Sequence, residues 1–108
     1  MNLHFEPARA DAIFFALGDA TRRNILSRLM RGPASITELA DHAAITKTAV
    51  GQHMALLQDC ALAKSEKRGR VRTCRFDPAG LRTLQGWIDY HREEWTGRLG
   101  RLGEILDD

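Results

Sequence analysis

Apolar residues recur at helical spacing through most of this chain, and the period changes clearly only around Lys64–Phe76. Pro7 suits a helix start, so a first helix is expected over about 8–17. Its stretch Ala12-Ile13-Phe14-Phe15-Ala16-Leu17 is apolar on nearly every face. A surface helix would be striped, so this one is expected to be covered on two sides, one of them a candidate face for a second subunit. Gly18 ends it and Asp19 caps the next. In the second helix Ile25, Leu26, Leu29 and Met30 share one face, with Arg22, Arg23 and Arg28 largely on the other, and Gly32-Pro33 stops it. Ser35-Ile36-Thr37-Glu38 is a capping box opening a third helix, with Ile36, Leu39, Ala40 and Ala43 inward. After a turn at Ala44 and Ile45, Thr46 caps a fourth helix over about 47–59. Val50, Met54 and Leu57 form its inner stripe, while Lys47, Thr48, Gly51, Gln52 and Ala55 face out.

The period then shortens to two. Lys67-Arg68-Gly69-Arg70 reads as a hairpin turn, glycine permitting a positive φ. Arg72, Cys74 and Phe76 share one face of the second strand, and the Cys74 side is expected inward. Asp77-Pro78 opens a last helix over about 78–106. There Leu81, Leu84, Ile88, His91, Trp95, Leu99, Leu102 and Ile105 alternate three and four apart, the seam of helix pairing. A helix of about 28 residues spans roughly 42 Å, too long to bury its stripe on so small a domain. The distal part is therefore expected to pack on a second copy. Gly97, Gly100 and Gly103 oppose the helix, so fraying is expected past Leu102.

The fold class is thus mainly α with a small β-hairpin, a winged helix-turn-helix in the order α-α-α-α-β-β-α, and residues 1–108 read as one domain. No apolar run is long enough for a membrane span, and the N-terminus lacks a signal-peptide pattern, so a cytoplasmic location is expected. The net charge of +2 hides an uneven distribution: residues 64–75 hold six basic side chains and one acid, leaving −3 for the rest of the chain. A basic segment on a slightly acidic body points to a polyanion.

Two short helices joined by a tight turn and followed by a basic hairpin suit duplex DNA. A helix fits the major groove, and a basic hairpin beside it reaches phosphates or the adjacent minor groove. Lys47, Thr48 and Gln52 are the base-edge candidates, Gln52 because it offers a donor and an acceptor together. Thr46, Arg68, Arg70 and Arg72 join them as DNA-contacting candidates. His53, at the edge of the buried stripe, fits a packing role with a hydrogen bond or a phosphate contact equally well. No nucleophile motif, phosphate loop or metal dyad supports an enzyme, so no catalytic residue and no cofactor are expected. A winged helix serving only protein contacts is the competing class; it calls for an apolar outer face on the fourth helix and a neutral wing, the opposite of this pattern.

Phe15-Ala16-Leu17-Gly18-Asp19-Ala20-Thr21-Arg22-Arg23-Asn24-Ile25-Leu26, the segment Ser35–Ala40, and Thr46–Leu57 together resemble ArsR-type bacterial transcription regulators. The Arg68-Gly69-Arg70 wing, the Asp77-Pro78 step and the tryptophan-bearing last helix match as well. The resemblance implies a homodimeric repressor on a palindromic operator, with dimer contacts from the first and last helices. The dimer candidates are Phe14, Phe15, Leu84, Ile88, His91, Trp95 and Leu99. The chain departs from the family pattern at Gly51, where Ser or Thr is usual, at Met54 for Leu, and at Ala61-Leu62 for Gly-Leu.

Many relatives of that kind sense metals. One family site needs a Cys-x-Cys pair, where this chain has Ser35 and Thr37. Another begins Asp-x-His, as Asp89-Tyr90-His91 does, but Leu102 and Ile105 stand where its later ligands belong. No metal site is expected. A turn centred on Gly69 and Arg70 sets Cys74 opposite Ser65, too far from Cys60 for an intrachain disulfide. An effector sensed through an unrecognised thiol, metal or small-molecule site is the remaining alternative.

Overall fold

Residues 5–106 are described by a computed structural model of the chain; side-chain placement at Leu99 and from residue 101 onward lies outside the described set. The order is α1 (Pro7–Leu17), α2 (Ala20–Met30), β1 (Ala34–Ser35), α3 (Ile36–Ala43), α4 (Lys47–Asp59), β2 (Ala63–Arg68), β3 (Val71–Phe76) and α5 (Pro78–Leu106). The caps are local chemistry. Asp19 accepts a hydrogen bond from the Arg22 N–H, Thr46 from that of Ala49, and Ser35 and Glu38 form the reciprocal capping box. The Asp77 carboxylate accepts from the Ala79 N–H, with Pro78 in the first turn of α5.

The inward faces of α2, α3 and α4 meet over one core. Ile13, Ile25, Leu39, Val50, Leu57, Leu62 and Cys74 are its largest fully buried side chains. The hairpin closes on Gly69 at φ 60°, with Arg68 paired to Val71 and Cys74 opposite Ser65. Cys74 is buried and Phe76 half-buried, the inward side expected, while Arg72 on the same face is exposed because it lies toward the hairpin tip, past the edge of the core.

Four features depart from the sequence reading. The sheet has a third strand: β1 pairs antiparallel with β3, Ala34 opposite Cys74 and Ser35 opposite Thr73, giving the order β1-β3-β2. Two residues are too few to show a period, so only the distant partner makes them a strand. Met30 is 48% exposed at the end of α2, beyond the reach of the core. Arg22 turns inward instead of out, its side chain 12% exposed. Finally, α5 runs unbroken to Leu106, past the expected fraying point at Leu102. Glycine lowers helix propensity without removing a hydrogen bond, and Arg98 pairs with Glu94 one turn back at 2.7 Å.

Ala61 takes the left-handed conformation at φ 58°, so the exit from α4 makes its turn without glycine. The Leu62 N–H bonds back to the Leu57 carbonyl at 2.9 Å, and the Gly80 N–H to the Ala61 carbonyl at 2.7 Å. These bonds lock α4, β2 and the start of α5 into one joint, which fixes the wing relative to α4.

Candidate nucleic-acid interface

α4 presents Lys47, Thr48, Gly51, Gln52 and Ala55 to solvent while Val50, Met54 and Leu57 anchor it below. Its first turn carries no acid, so the positive end of the helix dipole and Lys47 add. Gly51 has open space where a side chain would stand. Thr46 is exposed, its hydroxyl oxygen engaged by the Ala49 N–H at 3.1 Å.

The wing stands beside this face. A cleft of about 430 Å³ between them is lined by Ser35, Thr37, Lys47, Lys67, Arg70 and Arg72, among others. Four cations from α4 and both strands' ends therefore border one concavity. Arg68 lies outside it, its side chain 89% exposed and 3.8 Å from Glu66. Arg72 is braced: its Nη1 donates to Ser65 Oγ at 3.0 Å, and that hydroxyl donates to Gln58 Oε1 on α4 at 2.7 Å. Lys67, Ser65 and Gln58 were missed by the sequence reading; the Lys67–Arg72 register pairing could have suggested the first of them.

The structure does not leave His53 on the open face. Its side chain is 22% exposed, with Nδ1 3.4 Å from Arg22 Nη1 and 3.7 Å from Asp19 Oδ2.

A second surface is apolar. Phe14 and Phe15 on α1 are 41% and 67% exposed, and Ile88 and Trp95 on α5 are 39% and 59% exposed. Phe14 packs edge-on against Trp87 at 4.8 Å, and Trp87 lies 4.4 Å from the His91 ring. His91 is also 3.7 Å from Glu94. Leu84 packs against the chain's own core. The Leu99 side chain, with Leu102 and Ile105, lies outside the described residues. Trp87 stands off the three-four seam and was not singled out from sequence.

Among the described residues no three His, Cys, Asp or Glu side chains converge as a metal site would require, and no helix is long and apolar enough to cross a membrane. Cys60 and Cys74 are free thiols, both buried. Burial pushes both thiols above their ordinary titration range; at Cys74 the Arg72 charge opposes this, and at Cys60 backbone hydrogen bonds do. The thiolate is the reactive form. In the folded protein near neutral pH, Ellman's reagent is therefore expected to modify neither thiol within minutes, and both once denaturant is added. Rapid modification of either in the native state would contradict this.

Residues 19–65 match the profile of the bacterial regulatory protein arsR family. The chain is similar to the HTH-type transcriptional regulator Rv2034 of Mycobacterium tuberculosis, 34% identical over 99% of this chain and 94% of that protein. It is similar to the transcriptional repressor SdpR of Bacillus subtilis, 29% identical over 70% of this chain and 84% of that protein. Among solved structures, an ArsR-like transcriptional regulator from Rhodococcus sp. RHA1 superposes with a TM-score of 0.81 at 32% identity, covering 93% of this chain and 92% of the other.

Proposed function

This chain belongs to the arsR family of bacterial regulatory proteins, with the DNA-binding winged helix-turn-helix fold of a transcriptional regulator, and we propose that it is a homodimeric repressor acting on a palindromic operator in the cytoplasm. The observation that carries the reading is the basic cleft, where Lys47 from α4 meets Lys67, Arg70 and Arg72 from the wing. A sugar-phosphate strand running between an inserted helix and a flanking wing passes through that cleft. Lys47, Thr48 and Gln52 read base edges, Thr46 and Arg72 hold phosphates, and Arg68 and Arg70 reach outward from the hairpin tip. Repression follows from occupancy of the operator, which excludes polymerase.

The second copy binds over Phe14, Phe15, Ile88 and Trp95, with His91 at its edge. Exposed large apolar side chains on two helices that pack against each other are a costly surface for a monomer and an ordinary one for a subunit contact. Leu99 extends the same seam. Two-fold pairing sets the two α4 helices about 10 bp apart on the duplex.

Selection of bound DNA from a random duplex pool tests this. Enrichment of an inverted repeat with half-sites about one helical turn apart is expected. Enrichment of nothing, or of a lone half-site, would sink it. In the selected operator, Gln52→Ala is expected to weaken specific binding by about tenfold or more while changing nonspecific binding less than about twofold, because a bidentate base contact is worth about 1–3 kcal/mol. Competition titrations against random-sequence duplex separate the two. Equal loss on both would remove Gln52 from the reading face.

A further inference from the structure

We infer that His53 serves DNA recognition as a positioning residue, fixing the rotation of α4 by accepting a hydrogen bond from Arg22 at Nδ1, and not by touching phosphate. The inference rests on the DNA reading of α4.

The last turn of α1 leaves carbonyls without helical partners. Arg22 Nε donates to the Ala16 carbonyl at 2.7 Å and its Nη2 to that of Phe15 at 3.3 Å. The guanidinium also lies 5.6 Å from the Phe15 ring centroid, and Asp19 Oδ2 lies 3.8 Å from Nη1. With the side chain only 12% exposed, this fork is held from several sides. Its remaining arm, Nη1, points at His53 Nδ1, 3.4 Å away. Arginine has donors and no acceptor, so in this hydrogen bond Nδ1 accepts and the ring's N–H is at Nε2.

His53 follows Gln52 directly and sits at the border between the inner and outer faces of α4. Val50, Met54 and Leu57 hold the helix down from below, and none of them ties the side of α4 that carries His53. A lateral hydrogen bond to a fixed guanidinium resists rotation about the helix axis directly. A turn of about 10° moves the end of an outward side chain by about 1 Å, given a helix radius with side chains of about 5–6 Å. That is enough to spoil a bidentate contact from Gln52, whose geometry tolerates only a few tenths of an ångström. Because Arg22 also grips α1, the rotation of α4 is set against the helix that carries Phe14 and Phe15.

Asparagine places an acceptor where Nδ1 stands, and glutamine places one where Nε2 stands. The test compares His53→Asn, His53→Gln and His53→Leu on the selected operator and on random duplex, with salt dependence and melting temperature for each. His53→Leu is expected to lose about tenfold in operator affinity, within the range of coupling through one shared network, with its salt slope and random-duplex affinity unchanged. His53→Asn is expected to restore binding to within about threefold, and His53→Gln to fail. Arg22→Lys combined with His53→Leu should lose no more than Arg22→Lys alone. Rescue by Gln instead of Asn, a salt slope shallower by about 0.9 per site, additive losses, or no loss in His53→Leu would each overturn the inference. Wild-type protein that selects no sequence would instead defeat the DNA reading beneath it.

Discussion

Replacing Arg68, Arg70 and Arg72 together by alanine is expected to lower operator affinity by about a thousandfold or more near 0.15 M salt. A dimer loses six cations by this change. If each displaces one condensed counterion, the slope of log K against log salt becomes shallower by about 5, at about 0.9 per contact. The wild-type and variant curves should therefore converge as salt rises. Arg70 borders the cleft with Lys47, Arg72 is braced against Ser65, and Arg68 projects from the tip. None of the three lies in the core, so melting should shift by no more than about 0.5 kcal/mol per substitution. The loss should be shared by operator and random duplex, since phosphate contacts carry no sequence information. Titrations on both duplexes at several salt concentrations provide the check. A variant with the wild-type salt slope would mean that the wing stays clear of the DNA.

The parts of this interface that were legible in the sequence are those set by local chemistry. The bounds of α4 follow from the Thr46 cap and the Val50, Met54, Leu57 stripe, and the hairpin register from one glycine. What was not legible depends on chain segments meeting from afar. A two-residue strand exists because β3 lies beside it. The charge of Arg22 argues for the outer face of α2, yet the residue stands one turn before Leu26 and two before Leu29, so the helical period itself sets it on the inner side. What the period does not contain is how a charge is accommodated there: the end of α1 brings the Ala16 and Phe15 carbonyls within reach of the guanidinium. For the same reason His53 could not be assigned between packing and phosphate from its position in α4. Trp87 falls off the seam of α5 and becomes visible only through its contact with Phe14. The unbroken course of α5 shows the opposite limit, propensity arguments overstating what glycines do to a helix with strong formers around them.

Gly80 gives the largest expected effect on the fold itself, and nothing in its neighbourhood of sequence marks it out. A Cβ there would stand 2.7 Å from the Ala61 carbonyl oxygen, 2.8 Å from that of Cys60 and 2.8 Å from a Leu62 methyl. Two of the three are backbone atoms, so no side-chain rotation relieves the clash. The Gly80 N–H already bonds to the Ala61 carbonyl at 2.7 Å, which pins the first turn of α5 against the exit of α4. Gly80→Ala must push these apart, breaking that bond and disturbing Leu62, which is fully buried. Overpacking of this kind costs about 1–3 kcal/mol, and the backbone partners place this site at the upper end. For a chain of this size that corresponds to a drop in Tm of about 10–20 °C. Gly51→Ala is the internal control: its Cβ meets nothing within 4 Å, so helix propensity alone acts and stability should rise by up to about 1 kcal/mol. Because the same joint sets the angle of the wing and the direction of α5, Gly80→Ala should also weaken both operator binding and subunit pairing at temperatures where it remains folded. Thermal melts of the two variants decide the matter. A Gly80→Ala protein melting within about 2 °C of wild type would show that α5 approaches the α4 exit less closely than described, and with it the rigid joint between wing and recognition helix would be lost.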